Sequence, residues 1–196
     1  VRLHEVANPV EVENWGPKEN PASGDFVFLA RISMEKGPFI FAEAARLAGI
    51  TPVFVGDGPL AGELKKRYPE ARILPWQDTE GVRRTLRAAR ALVFPSIWYE
   101  GQPLTVLESL ALGTPVITSD DCAGRESVID GETGLWFKDR SPQDLARALT
   151  EMKDDARVSA MSEAAHRLYW ANPFTVQRHC HRLLEVYGEM LSRKAG

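Results

Sequence analysis

Short apolar runs alternate with amphipathic stretches along most of the chain. Each run is bounded by glycine, proline or polar residues, which is the pattern of a buried strand. The predicted strands are residues 25–30, 52–55, 72–75, 91–94, 115–118 and 134–137. Between and after them, apolar positions recur at the spacing of a helix face. This second pattern predicts helices from 38 to near 49, around 60–68, over 79–89 and 103–112, around 127–129, from 142 to about 152, over 155–170 and over 174–191.

The alternation of strands and helices predicts an α/β fold with a parallel sheet covered on both faces. Since crossovers between parallel strands are right-handed, we expect a Rossmann-like, doubly wound sheet of about six strands, followed by C-terminal helices. The loops that leave the carboxyl ends of these strands, beginning at Arg31, Gly56, Pro75, Pro95 and Ser119, should share one edge of the sheet.

Composition and charge exclude several classes of function. The net charge of −3 gives no general attraction to nucleic acid, so no nucleic-acid partner is expected. No apolar run approaches the length of a membrane span, and no signal peptide is visible. Two cysteines, Cys122 and Cys180, favour free thiols in a reducing compartment. These features predict a cytoplasmic chain.

The stretch 94–112 holds the candidate chemistry. Glu100 precedes a helix that Pro103 is suited to open, and Glu108 lies in its second turn. The free backbone N–H groups of Leu104 and Thr105 then lie between two carboxylates and form an anion site. A diphosphate on these N–H groups, with a ribose at one carboxylate and a sugar at the other, is the order of parts in a nucleotide sugar. On spacing alone, two exposed glutamates on an amphipathic helix are an alternative of equal weight.

The residues Glu100-Gly101-x-Pro103-Leu104-x-x-x-Glu108 resemble the E-x7-E motif of retaining glycosyltransferases of the GT-B fold, the glycosyltransferase family 4 type, also called group 1. The resemblance implies that this chain is the C-terminal, donor-binding half of such an enzyme. Further segments resemble the same family in the same order, namely 113–117 and 131–135, and the resemblance extends from about residue 8 to residue 187.

The resemblance also implies roles for individual residues. Arg31 and Lys36 match the family's donor-phosphate pair and would stabilise the leaving diphosphate. Glu100 would contact the transferred sugar, and Glu108 would hold the ribose. The remaining expected donor-binding residues are Gly101, Gln102, Pro103, Leu104 and Thr105 around the helix start, and Gly58, Leu74 and Trp76 near the nucleotide. A plain tight turn at Gly58 and a packing role for Trp76 remain open alternatives.

The resemblance further implies the organisation and the reaction. Residues 1–20 would be a linker or edge segment from a missing N-terminal domain, 21–170 the nucleotide-sugar-binding domain, and 171–196 a C-terminal helix. The enzyme would transfer a hexose from a nucleotide diphosphate sugar to an acceptor with retention, without a metal or another cofactor. The acceptor would bind through the missing domain, so the isolated chain should bind nucleotide but transfer poorly or not at all. Any membrane association of the full-length enzyme would be peripheral. Alternatives are an epimerase, a glycogen-synthase-like enzyme and a non-catalytic nucleotide-binding module.

Overall fold

The computed structural model describes residues 3–98 and 100–192 and contains one parallel sheet. The strand order is β3-β2-β1-β4-β5-β6, which is the order of a doubly wound Rossmann-like sheet. The predicted fold class is therefore confirmed. The strands are β1 (Phe26–Leu29), β2 (Val53–Val55), β3 (Arg72–Leu74), β4 (Ala91–Phe94), β5 (Val116–Ser119) and β6 (Gly134–Phe137).

Helices connect the strands and close the C-terminal part of the chain. Glycines in the left-handed conformation end two segments, at Gly49 after α1 and at Gly113 shortly after α4, because glycine has no Cβ to clash there. The helices are α1 (Pro38–Ala48), α2 (Ala61–Arg67), α3 (Thr79–Ala88), α4 (Leu104–Ala111), α5 (Pro142–Glu151), α6 (Asp155–Ala171) and α7 (Val176–Ser192).

The hydrophobic core lies in two layers, one on each face of the sheet. Alternate strand residues point to opposite faces, so Phe28 packs in one layer with residues of α1, α2 and α5. Its neighbours Val27 and Leu29 belong to the other layer, with residues of α3 and α4. Helix α6 contributes to both layers, through Val158 on one face and Tyr169 on the other.

The N-terminal residues 3–25 lie against the domain without helix or strand. Val10 N–H donates to the Phe174 carbonyl at 2.7 Å, which fixes this segment beside the start of α7. Further along, Lys18 Nζ donates to the Ala89 carbonyl at 2.6 Å, and burial lowers the pKa of this ammonium to about 8. The segment is thus held at Val10 and Lys18 by the Rossmann-like domain, while its role as an interdomain linker stays a prediction.

Three predicted boundaries were wrong in detail. No helix forms at 127–129, and a 3-10 turn at Ala123–Glu126 precedes this segment; Gly124 in the turn packs on β5, where a Cβ would lie 2.5 Å from Thr118 Oγ1. Pro103 precedes α4 as its N-cap, in an extended conformation, and is not its first helical residue. Leu60 and Tyr68 flank α2 as its two caps.

Two further findings concern properties expected from composition. Both cysteines are free thiols, Cys122 buried and Cys180 exposed, as predicted. Within the described ranges, no helix combines the length and apolarity that crossing a bilayer requires.

Candidate functional site

Two of the predicted loops, those after β1 and β4, meet where the strand order reverses. Strands β1 and β4 pair in parallel, and the chain leaves β1 toward one side of the sheet and β4 toward the other. In open α/β sheets this switch point leaves a crevice at the carboxyl edge, which is the usual place for a ligand. The loop that follows β1 contains Arg31 and Lys36, and the loop that follows β4 contains Glu100.

Backbone and hydroxyl contacts join the two loops. Ile97 N–H donates to the Glu35 carbonyl at 2.9 Å, across a sequence separation that spans three strands. Ser96 Oγ, which is buried, lies 3.2 Å from the same carbonyl and 3.2 Å from Glu100 Oε1. The loops therefore form one unit.

An ion pair lies at the centre of this unit. Lys36 Nζ contacts Glu100 Oε1, with 24% and 23% of the two side chains exposed. Together with Glu35 and Trp98 they line a depression of about 560 Å³. The structure thus brings together Lys36, which was predicted to bind the diphosphate, and Glu100, which was predicted to bind the sugar. An ammonium and a carboxylate in direct contact can bind neighbouring anionic and hydroxyl groups of one ligand.

Gly37 explains why Lys36 can approach the β4 loop. It adopts a left-handed conformation, with φ of 66°, between the 3-10 turn Met34–Lys36 and α1. A Cβ at this position would lie 2.1 Å from the Pro95 carbonyl oxygen. Only glycine fits this contact, so Gly37 sets the distance between the two loops.

Arg31 is exposed at the start of the loop that contains Lys36. The backbone beside it is fixed, because Ile32 N–H donates to the Asp57 carbonyl at 2.9 Å and Leu60 N–H donates to the Ile32 carbonyl at 3.1 Å. Gly58 packs against Ile32, where a Cβ would lie 2.4 Å from the carbonyl oxygen, and its N–H donates to Asp57 Oδ1 at 2.7 Å. The turn at Gly58 thus supports the Arg31 loop, and its contact with a nucleotide stays a prediction.

The start of α4 faces the same edge of the sheet. The helix begins at Leu104, and no side chain bonds to its N-terminus from the capping residue Pro103. The first N–H groups of a helix have no intrahelical partner, so those of Leu104 and Thr105 can bind an anion. Gly101 is exposed in the preceding loop, and a Cβ added there would meet nothing within 4 Å, so a ligand can approach the backbone at this point.

Glu108 lies in the second turn of α4 and is half-buried. Burial raises the pKa of its carboxyl above the ordinary value of 4.5, while the positive charge of Arg83 on α3 opposes the shift. A half-buried carboxylate that lacks solvent on one side is suited to accept hydrogen bonds from two adjacent hydroxyl groups, such as those of a ribose.

We predict that Glu108→Gln stabilises the fold at neutral pH. A raised pKa means that the folded state holds the proton more tightly than the unfolded chain. The wild type should therefore lose stability as the pH rises from 4.5, the pKa of this carboxyl in the unfolded chain, through its higher pKa in the folded state. The Glu108→Gln variant has no charge to bury at this position and should not show this loss. Urea unfolding at pH 4.5 and pH 7 should show a stability gain for Glu108→Gln only at pH 7; a loss at pH 7 would contradict the prediction.

Gln102 has a contact that the sequence did not indicate. Asn8 N–H donates to Gln102 Oε1 at 2.6 Å, and Gln102 Nε2 donates to the Asn8 carbonyl at 3.4 Å. The side-chain amide therefore pairs with the backbone of the N-terminal segment in the manner of a neighbouring strand. The expected approach of its backbone N–H to a sugar stays a prediction, but the side chain links residues 3–25 to the Glu100 loop.

Removal of this link should loosen the N-terminal segment locally. A neutral hydrogen bond contributes about 1 kcal/mol, so Gln102→Ala should speed exchange of the Asn8 amide about fivefold, measured by hydrogen exchange in NMR. Gln143→Ala, an exposed change at the start of α5, is the matched control and should leave the Asn8 amide unchanged. Equal exchange in wild type and Gln102→Ala would show that the contact does not hold the segment.

The predicted base-binding residues lie at the far side of the edge. Leu74 ends β3, and its carbonyl accepts from Gly56 N–H at 3.1 Å. Trp76 follows with 62% of its surface exposed. Strand β2 lies between β3 and β1, so the structure places Leu74 and Trp76 on the shared edge but does not bring them into the Lys36–Glu100 unit. Stacking of Trp76 on a base stays a prediction.

Sequence reasoning missed several residues of the site. Glu35, Ser96 and Trp98 hold or line the depression, and Gly37 fixes its width. The signal for Trp98 was its position two residues before Glu100, on a loop already assigned to the site. Glu35 and Ser96 had no such signal, since their roles come from contacts between loops far apart in sequence. Within residues 3–98 and 100–192, no three metal-binding side chains are grouped closely enough to hold a metal ion.

Comparison with known proteins places this geometry in a family. One curated relative, UDP-Gal:alpha-D-GlcNAc-diphosphoundecaprenol alpha-1,3-galactosyltransferase of Escherichia coli, is 26% identical over 99% of this chain and 56% of its own length. Glycogen synthase of Mycobacterium tuberculosis is 28% identical over 93% of this chain and 47% of its own. The chain thus spans about half the length of these relatives.

A solved structure has the same fold. Alr3699/HepE of Anabaena, in complex with UDP and glucose, matches with a TM-score of 0.72 and 19% identity, over 86% of this chain and 49% of that one. The protein-family model described as glycosyl transferases group 1 matches residues 11–168, which include both site loops, α4 and all six strands. This chain therefore belongs to the group 1 glycosyltransferases, a family of GT-B enzymes.

Proposed function

We propose that this chain is the donor-binding half of a retaining hexosyltransferase. The observation that supports it most strongly is the contact of Lys36 with Glu100 at the strand-order reversal, directly before the start of α4. A cation and a carboxylate thus lie beside the crevice, close in sequence to the start of α4, and we propose that the carboxylate binds the sugar. The relatives named above are glycosyltransferases, and the similar Anabaena structure holds UDP and glucose.

In this proposal the donor lies along the carboxyl edge of the sheet. The diphosphate rests on the N–H groups of Leu104 and Thr105, and Arg31 and Lys36 neutralise it. Glu108 accepts the ribose hydroxyls. The hexose extends toward Glu100 and the exposed backbone beside it, where we assign Gly101, Gln102 and Pro103 to the sugar. The base extends toward the β3 end of the edge, where we assign Gly58, Leu74 and Trp76 to it.

The proposed reaction exchanges one bond at the anomeric carbon. The bond from this carbon to the leaving phosphate oxygen breaks, and the acceptor oxygen bonds to the carbon on the same face. The leaving phosphate oxygen takes the acceptor proton, so the products are a glycoside with retained configuration and a nucleoside diphosphate. Negative charge grows on the diphosphate as the bond breaks, and Arg31 and Lys36 are placed to stabilise it. We propose that these cations supply the electrostatic stabilisation and that no cofactor besides the donor takes part.

The acceptor belongs to the part of the enzyme outside this chain. Because the chain spans about half the length of its curated relatives, we propose that the remaining half binds the acceptor over the Glu100 loop. The isolated chain should then bind nucleotide and transfer very slowly or not at all.

Product analysis of the full-length enzyme tests the reaction. NMR of the product made from a nucleotide hexose should show the anomeric configuration of the donor, and EDTA should not reduce the rate. An inverted product would overturn retention, and a rate abolished by EDTA would overturn metal independence. Conversion of the donor without any acceptor would indicate an epimerase, and binding without turnover would indicate a non-catalytic module.

A further inference from the structure

An exposed tryptophan stands beside the Lys36–Glu100 pair. Trp98 has 65% of its surface exposed and lines the same depression. Two other tryptophans use their indole N–H internally: Trp136 donates to the Val128 carbonyl at 2.9 Å and Trp170 to the Ala111 carbonyl at 2.8 Å. A large aromatic surface left in water next to a polar cluster is a typical feature of a binding site.

The backbone of Trp98 is held in place. Its N–H donates to Ser96 Oγ at 3.4 Å, and its carbonyl lies 3.3 Å from the same hydroxyl. The preceding residue, Ile97, donates its N–H to the Glu35 carbonyl at 2.9 Å. The attachment point of the indole is therefore fixed relative to the loop that contains Lys36, so the loop backbone does not have to be ordered when a ligand packs on the ring.

Polar groups surround this aromatic surface. Glu100 and Glu35 offer carboxylate oxygens and Lys36 an ammonium at the rim of the depression. Ser33 Oγ donates to Glu35 Oε1 at 2.5 Å, and this bond, the largest contribution, lowers the pKa of Glu35 and keeps it an acceptor. An apolar wall with a few fixed donors and acceptors at its edge matches a pyranose ring, which has a C–H face and a rim of hydroxyl groups.

We propose that Trp98 is the platform on which a pyranose ring packs in this site, with its hydroxyls directed to the carboxylates of Glu35 and Glu100. The proposal rests on the proposed function and adds a sugar-binding residue to it. A nucleobase can also stack on an indole, but Trp98 lies on the loop before Glu100, whereas Glu108, assigned to the ribose, lies in the second turn of α4. The pyranose can be the donor hexose or a sugar of the acceptor.

Two variants separate ring stacking from general packing. Trp98→Leu removes the aromatic ring and keeps an apolar side chain, and Trp98→Phe keeps a ring. Calorimetry on this chain would compare the affinity for UDP with that for UDP-glucose, GDP with GDP-mannose and ADP with ADP-glucose. A second titration would add methyl α-D-glucopyranoside to the chain saturated with the diphosphate that binds. Circular dichroism and the melting temperature would show that both variants fold.

An aromatic contact of this kind contributes about 0.5–1.5 kcal/mol, which corresponds to a loss of about two- to tenfold in affinity. If Trp98→Leu causes this loss for the nucleotide sugar, the ring packs on the donor hexose. If it causes the loss for the free glucoside, the ring packs on a sugar of the acceptor. In both cases Trp98→Phe should retain most of the affinity, and the diphosphate alone should bind as tightly as to wild type.

Equal weakening of diphosphate and nucleotide sugar would overturn the inference, because the ring would then contact the base or phosphates. Unchanged affinity of every ligand in Trp98→Leu would also overturn it, while the proposed function would stand. If the folded wild type bound none of the nucleotides or nucleotide sugars, the proposed function would fail, and this inference with it.

Discussion

Arg31→Ala in the full-length enzyme is expected to lower the rate of transfer about 10²–10³-fold. Loss of one preorganised charge that stabilises a transition state has an effect of this size. Arg31 is exposed at the mouth of the crevice, so the variant should fold normally. The effect should appear in kcat more than in the affinity for the donor, because the diphosphate gains charge only as the glycosidic bond breaks.

Lys36→Ala should lower the rate by a similar factor and should also weaken donor binding. The lysine contacts Glu100, so its removal leaves that carboxylate without its cation as well. Arg84→Ala is the matched control: this exposed residue of α3 pairs with Glu80 at 3.2 Å on the helix surface, and the rate should stay within about twofold. Steady-state kinetics of all three variants test the account, and an Arg31→Ala enzyme with wild-type kcat would show that Arg31 is only a surface residue.

Gly37→Ala is expected to have the largest effect on stability. A residue with a Cβ is strained at φ of 66°, and here the Cβ would also lie 2.1 Å from the Pro95 carbonyl oxygen, so one of the two site loops must move. Backbone strain and overpacking together should cost about 3 kcal/mol. For a chain of this length, that corresponds to a fall of about 10 °C in Tm.

Gly49→Ala isolates the effect of the close contact. Gly49 ends α1 with φ of 64°, and nothing lies within 4 Å of a Cβ there, so this variant has the same backbone strain without the clash. Its expected cost is about 1 kcal/mol. Calorimetric Tm values should therefore rank wild type above Gly49→Ala and Gly49→Ala above Gly37→Ala, and equal Tm values for the two variants would show that the loops are not held together at Pro95.

Most of the fold could be predicted from the sequence because local patterns specify it. All six strands lie within one or two residues of their predicted positions, since each is a short apolar run between turn residues. The helix predicted at 127–129 was wrong: the structure has the turn Ala123–Glu126 just before it, in which Gly124 packs against Thr118, a contact that local sequence does not report.

The candidate site was predictable in part, from charged residues in loops after the strands and from the resemblance of 100–108 to the E-x7-E motif. Lys36 and Glu100 were both singled out from the sequence, and the structure brings them into contact. Contacts between distant segments had no comparable signal. Two examples are the pairing of Gln102 with the Asn8 backbone and the bond from Ile97 to Glu35. Both depend on how the loops lie after folding, and no local sequence pattern indicates that arrangement.

Calorimetric titration of this chain with UDP, GDP, ADP and dTDP, on wild type and on Glu108→Ala, tests the central claim most directly. The account predicts that one of the four binds to the wild type and that Glu108→Ala weakens it tenfold or more, because hydrogen bonds to a charged group contribute about 1.5–3 kcal/mol. That result would also identify the base. Binding unaffected by Glu108→Ala, or no binding of any of the four to the folded chain, would contradict the account.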